Sequence, residues 1–472
     1  MSFSETNLEL NGEQLRRLVD AAMARIIPHI DSLSEQPSAD VEGAAELARS
    51  LVESVPQRGT PLDEVLDVVF DRAVPKSFNT AGPGYLAYIP GGGIPHTAVA
   101  DLIAAAVNRY VGVWVAAPGL SQLEANTIRW LCEIMGYGPD SLGFLTSGGS
   151  LANFSAVVAA RRKLLPDDFL SGMIYASDQV HHSIQKAAML AGFPAASVRV
   201  IGSDDLFRIR LDELEQRIDE DRAAGRAPFL IVASAGTTNT GAVDDLSALA
   251  DLAQGHQMWL HVDAAYGGFF MLTERGRTIM HGIERADSIV LDPHKGMFLP
   301  YGTGSLLVRD GDTLRQSHTV HADYMPVMQS EEDLVDFCQI SPELSRPFRG
   351  LGVWLPIKLL GIEPFRQNLE EKLDLTHWAT DQLKSIEGIE IVAEPQLSIV
   401  AFRVKRPGLE TAALNDLNRD FMARVNAQKR VYLTGTMLGD RFAVRICVLS
   451  FRTHMDRMRQ ALEDIRYAVG AV

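Results

Sequence analysis

Near the start of the chain, apolar residues recur at helical spacing. Leu15, Leu18, Ala22, Ile26 and Ile30 share one face, and Asn11 followed by Gln14 has the form of a capping box. The spacing predicts an amphipathic helix to about Ile30. A second helix is predicted over 41–55. Two early helices alone cannot build a core, which favours a partner-clasping arm over a packed appendage. Gly82-Pro83-Gly84 and Pro90-Gly91-Gly92-Gly93 then predict irregular backbone, and Tyr85 and Tyr88 within that stretch favour a ligand wall over a linker. From residue 143 short apolar runs alternate with helical ones. Strands are predicted at 143–146, 173–176, 198–201, 229–232, 259–262, 288–291 and 305–308, with helices at 151–163, 182–190 and 211–223. One long helix, kinked near Pro356 and Pro364, is predicted over 351–379. Strands at 389–392, 398–403 and 442–446 follow, with helices at 410–427 and 454–468.

Strands alternating with helices give an α/β fold, a mostly parallel sheet covered on both faces. The expected organisation is a helical, dimer-clasping segment over 1–94, a large α/β domain over 95–365 and a small α+β domain over 366–472. In such sheets ligands collect beyond the carboxyl ends of the strands, so chemistry is expected there.

Composition narrows the function classes. The chain has 472 residues, 46% hydrophobic and 22% charged, which suits a folded protein and excludes disordered, collagen-like and small disulfide-scaffold chains. Its formal charge of −16 repels a phosphate backbone, so no nucleic-acid partner is expected. Cys132, Cys338 and Cys447 form no CxxC pair and are odd in number, which predicts unpaired thiols and a cytoplasmic location. The first dozen residues are polar and no apolar run approaches membrane-spanning length, so neither a secretory signal nor a membrane partner is expected.

Five segments at strand ends carry the candidate chemistry. Thr146-Ser147-Gly148-Gly149-Ser150 opens a helix, where free N–H groups attract an anion and glycine admits a phosphate; good capping alone would also explain it. His181 and His182 are adjacent, so at most one addresses a ligand. Gly236-Thr237-Thr238 offers hydroxyls that could equally be turn chemistry. His261-Val262-Asp263-Ala264-Ala265 ends a buried strand with a carboxylate that needs a partner. Asp292-Pro293-His294-Lys295 follows the next strand. Asp263 and Lys295 alone could be a buried salt bridge. With a phosphate nest they suggest pyridoxal phosphate instead: a lysine for the Schiff base, a carboxylate to keep the pyridine nitrogen protonated, and a stacking face from His181.

These segments, in this order, resemble the group II pyridoxal-phosphate decarboxylases, the family that includes aromatic-L-amino-acid, histidine and glutamate decarboxylases. The resemblance runs from about Tyr85 through Arg445. It implies a fold-type I transferase-like architecture: a mostly parallel seven-stranded sheet between helices, an N-terminal helical arm and a small C-terminal α+β domain. It also implies a homodimer with a shared active site and pyridoxal 5'-phosphate as cofactor. By resemblance Lys295 carries the cofactor, Asp263 pairs with the pyridine nitrogen, His181 stacks on the ring, Ala265 packs opposite, Gly149 and Ser150 hold phosphate, Thr237 or Thr238 lies beneath, and His294 precedes the lysine. Tyr324, in Ala322-Asp323-Tyr324-Met325-Pro326, resembles the proton donor that favours simple decarboxylation over oxidative deamination. Arg349 matches an arginine near the substrate carboxylate.

Departures from the family pattern bear on the substrate. Asp292 stands where animal aromatic decarboxylases carry Asn near phosphate, so it is expected to point elsewhere or pair with a cation. Gly296, Ile89 and Gly112 replace aromatic residues. Tyr88, Pro90 and Trp114 remain as substrate-binding candidates, which favours an aromatic amino acid. An acidic or diamino substrate is the competitor, with Arg109 or His96 for an acidic side chain. The rival class is a metal-dependent hydrolase on His261, Asp263, His294 and His318, disfavoured because fewer than three ligands are assured.

Overall fold

The computed structural model describes residues 8–319, 331 and 333–472. Seven strands form the main sheet: β1 (Leu142–Thr146), β2 (Gly172–Ser177), β3 (Val198–Ile201), β4 (Ala227–Ser234), β5 (Trp259–Asp263), β6 (Ser288–Leu291) and β7 (Gly304–Val308). Their order is β1-β7-β6-β5-β4-β2-β3. Only β7 runs against its neighbours, so the sheet is mostly parallel, as the alternation of strands and helices predicts.

Residues of one strand divide between two cores at period two. Leu145, Ile231, Leu260, Val262 and Ile289 enter one core. Phe144, Leu230, Val232, Trp259 and Val290 enter the other. Burial on both faces explains why these strands read as continuous apolar runs. Helix Gly149–Leu164 covers the second face with Ala152, Ala156, Val157 and Ala160, small side chains that bring its axis close to the sheet.

A second, antiparallel sheet is built from β8 (Ile389–Ala393), β9 (Ile399–Val404), β10 (Thr434–Leu438) and β11 (Arg441–Cys447), in the order β10-β11-β9-β8. Helix Glu363–Lys384 joins the two halves: its Phe365, Leu369 and Leu373 pack in the main core, and its Leu375, Ala379 and Leu383 in the C-terminal one.

The single helix expected over 351–379 is two helices, Gly350–Leu360 and Glu363–Lys384. The break falls at Gly361, with φ 71°, while Pro356 stays inside the first helix and Pro364 opens the second. The helix expected over 41–55 is shorter, Ala44–Ser50. The capping box forms, and helix Gly12–Asp31 runs from it without a single buried residue. Among the described residues no helix is long and apolar enough to cross a membrane, and the three cysteines are unpaired.

Candidate active site

The carboxyl ends of β1, β2, β4, β5 and β6 converge on one cavity of about 280 Å³. Gly149, Ser150, His181, Thr237, Thr238, Asp263, Ala265, His294 and Lys295 all line it, so the five sequence segments meet there. Tyr88, Pro90, Trp114 and Arg349 do not. Tyr88 is half exposed and has φ 49°. Trp114 donates its backbone N–H to Asp336 Oδ1 at 2.6 Å. Arg349 makes a two-pronged pair with Glu343, at 2.6 and 2.9 Å, and lines a separate cavity with Asp101, Arg109 and Thr303. Tyr324 lies outside the described residues.

Lys295 sits on the one-turn helix Pro293–Gly296, just past β6. Its Nζ lies 2.9 Å from Asp292 Oδ2; of the two alternatives for Asp292, it pairs with a cation. Burial disfavours the Lys295 ammonium, but the charge and hydrogen bond of Asp292, with Asp263 beyond, hold its pKa above the ordinary lysine value. The other Asp292 oxygen, Oδ1, is buried without a hydrogen-bond partner. A side chain at Gly149 would sit 3.1 Å from Asp292 Oδ2 and 3.4 Å from Ala265, so glycine keeps a small space open between the helix start and this carboxylate.

Asp263 ends β5 and is buried. Its Oδ1 accepts from the Ala265 N–H at 3.2 Å and its Oδ2 from Asn153 at 2.9 Å. Burial lowers the His181 pKa, against the pull of Asp263. Burial likewise lowers that of His294, whose Nδ1 lies 2.7 Å from the Thr303 carbonyl oxygen. The Thr237 hydroxyl is committed to its own loop, 2.8 Å from Thr240 Oγ1 and 3.1 Å from the Ala242 nitrogen.

The metal reading drew on His261, Asp263, His294 and His318. Both ring nitrogens of His261 are hydrogen-bonded within the protein, and no group of three or more candidate ligands exists among the described residues.

One lining residue, Asn153, and one residue beside the cavity, Arg445, which donates to the carbonyl of the lining residue Thr238, escaped the sequence reading. Asn153, from helix Gly149–Leu164, bridges Asp263 and Ser183. Arg445, on β11, is buried and donates only to neutral groups: the carbonyls of Asn239, Thr238 and Tyr88 and the Thr434 hydroxyl. It forms no ion pair among the described residues. Each had a signal: one polar residue on a small-residue helix face, and one cation inside the apolar strand run 442–446.

The donor set fits pyridoxal phosphate. A helix start with open space before it suits a phosphate, Lys295 supplies the amine, and Asp263 is a buried carboxylate held by two neutral donors with acceptor capacity to spare. The comparisons agree. The family model described as "Pyridoxal-dependent decarboxylase conserved domain" matches residues 45–405. An aromatic-L-amino-acid decarboxylase of Bacillus atrophaeus is 34% identical over 98% of this chain and 96% of its own length. Tryptophan decarboxylase 2 of Oryza sativa subsp. japonica is 27% identical over 96% of this chain and 95% of its own. A crystal structure of Oryza sativa TDC with PLP and tryptamine superposes with a TM-score of 0.93 at 26% identity, covering 98% of this chain and 99% of that one. On its sequence and its fold alike, this chain belongs to the pyridoxal-dependent decarboxylases.

Proposed function

We propose that this chain decarboxylates an aromatic L-amino acid to the amine and carbon dioxide, with pyridoxal 5'-phosphate carried by Lys295. The observation that carries this reading is the joint presence of Lys295, Asp263 and the Gly149 helix start around one cavity. When bound, the cofactor supplies the sink for the electron pair left by the departing carboxylate. The protein supplies binding, orientation and proton control. The N–H groups at Gly149 and Ser150 hold the phosphate. Asp263 keeps a proton on the pyridine nitrogen, and His181 and Ala265 bracket the flat ring. The hydroxyl of Thr238, rather than the committed one of Thr237, is the one available beneath the cofactor. His294, tied to Thr303, orients the lysine turn. Arg445, a buried cation without a carboxylate partner among the described residues, receives the substrate carboxylate. Tyr324 delivers the proton that replaces carbon dioxide.

The same reading makes the active form a dimer of identical chains. Helix Gly12–Asp31 exposes Leu15, Leu18, Met23 and Ile27, and helix Pro95–Val107 exposes Val99, Leu102 and Ile103. These apolar faces suit a second copy. A shared site is also the arrangement in which Trp114 and Arg349, both off this chain's own cavity, contribute to substrate binding, with Tyr88 and Pro90 forming part of the entrance wall. Unpaired thiols suit a cytoplasmic location.

The test is to incubate the purified protein and pyridoxal 5'-phosphate with the twenty amino acids plus dopa, ornithine and diaminobutyrate, measuring carbon dioxide, amine and aldehyde. Amine and carbon dioxide from tryptophan, tyrosine, phenylalanine or dopa are expected. Lys295→Ala should lose both activity and the visible absorbance of the lysine-bound cofactor. Release from glutamate or diaminobutyrate alone would replace the aromatic reading, and aldehyde as the main product would overturn simple decarboxylation.

A further inference from the structure

Asp263 and His181 hang from one buried hydrogen-bond chain whose direction is fixed at both ends. At the far end is the indole N–H of Trp259, which can only donate; it donates to Ser288 Oγ at 2.8 Å. Ser288 Oγ lies 2.8 Å from His261 Nδ1, and His261 Nε2 lies 2.9 Å from Asn153 Oδ1. At the near end, Asn153 Nδ2 is 2.9 Å from Asp263 Oδ2 and 2.8 Å from Ser183 Oγ. An ionised carboxylate only accepts, so the Asn153 amide nitrogen faces Asp263 and its oxygen faces His261. That oxygen needs a proton, which places the His261 hydrogen on Nε2 and leaves Nδ1 to accept from the Ser288 hydroxyl.

The same logic continues to His181. Ser183 Oγ accepts from Asn153, so its own proton is free for His181 Nδ1, 2.8 Å away. The Ser183 backbone N–H also points at that nitrogen, at 3.3 Å, and an N–H cannot reverse its role. Two donors at Nδ1 put the His181 hydrogen on Nε2. Trp259, Ser288, His261, Asn153 and Ser183 are all buried, so water does not compete along the chain. Burial also pushes the His261 pKa down to about 4, against Asp263 and the Ser288 backbone, so this imidazole is neutral near pH 7.

We propose that Trp259, Ser288, His261 and Asn153 are positioning residues, a one-way hydrogen-bond chain that aims the Asp263 carboxylate and fixes His181 as the tautomer with its hydrogen on Nε2. The inference rests on the function proposed above for the roles of Asp263 and His181. Its consequence is that His181, at Nε2, offers a hydrogen to whatever occupies the cavity and cannot take one.

Nitrogen-15 NMR of histidine-labelled protein without cofactor tests the assignment directly. Both His261 and His181 should report hydrogen on Nε2 near neutral pH, and a His181 hydrogen on Nδ1 would overturn it. Asn153→Asp keeps the shape but puts an acceptor where Asp263 and Ser183 need a donor. Its affinity for pyridoxal 5'-phosphate should fall by about ten- to a hundredfold, and the His181 nitrogen signals should move. An unmoved His181 signal in a folded variant, whatever the affinity, overturns the inference. If the wild type instead forms no lysine-bound cofactor band, the functional reading fails while the tautomers stand on the NMR alone.

Discussion

The carboxylate of Asp292 sits close to where a phosphate would meet the start of helix Gly149–Leu164, and at present it neutralises Lys295 at 2.9 Å. With Lys295 engaged by a cofactor, Asp292 would stand as an anion beside a phosphate held at this helix start. Asp292→Asn removes the repulsion and lowers the Lys295 pKa, which leaves more of the reactive free amine. The variant should bind pyridoxal 5'-phosphate about tenfold more tightly, measured by absorbance titration of the apoprotein; weaker binding would show that the charge assists. His261 makes a second residue-scale prediction. The unfolded chain takes a proton there below about pH 6.5, the folded one only below about 4. Between those values the unfolded state holds more protons, so stability falls as pH drops through the window, by about 3 kcal/mol from this residue. Denaturant melts at pH 7 and pH 4.5 should show the loss, and His261→Gln should flatten it.

The segment Pro90–Gly93 and the turn Pro293–Gly296 touch backbone to backbone. A Cβ at Gly91 would lie 2.0 Å from the His294 carbonyl oxygen, which cannot swing away as a side-chain end could. Gly91→Ala should displace the turn that carries Lys295, costing about 1–3 kcal/mol in stability and slowing formation of the visible cofactor band. The irregular glycine-rich backbone over 82–93 was legible in the sequence, and so were all seven strands of the main sheet; burial on both faces writes most of them as near-continuous apolar runs, the edge strand β3, with Arg199 and an exposed Val200, being the exception. The residues just past those strands were legible for the same reason, since strand ends announce themselves. β10 was not: Thr434, Gly435 and Thr436 lie at a sheet edge and carry little apolar signal. The break between the two helices after residue 350 was masked by Pro356 and Pro364, which drew attention from Gly361. Asn153 and Arg445 were missed because their importance lies in what they meet across 110 and 207 residues, at Asp263 and Thr238, and spacing along one element does not record that.

At the scale of the whole molecule, the acidic surface and the cavity obey different electrostatics. The net charge of −16 opposes polyanions at a distance, while the proposed function places a phosphate at the backbone of the Gly149 helix start and a carboxylate at Arg445. The surface is also apolar in one telling place. Helix Gly12–Asp31 has a capped start and an amphipathic sequence, and its Arg25 and His29 meet Asp67 and Phe70, yet none of its residues is buried among the described residues, and Leu15, Leu18, Met23 and Ile27 stay exposed. Most helical stability in proteins comes from packing an amphipathic face, so its exposed apolar stripe is expected to be covered by a second copy. Replacing Leu15 and Leu18 with Asp tests this without touching the cavity. Burying a Leu is worth up to about 1.5–3 kcal/mol. With two on each of two arms, the pair should lose roughly 6–12 kcal/mol, about four orders of magnitude or more in the dissociation constant. Sedimentation at micromolar concentration should then show the wild type as a dimer and the double variant as a monomer. On the shared-site reading proposed above, amine production should fall with the dimer fraction, and concentrating the variant should restore both together. A wild type that sediments as an active monomer would end the shared-site reading and return Trp114 and Arg349 to purely structural roles.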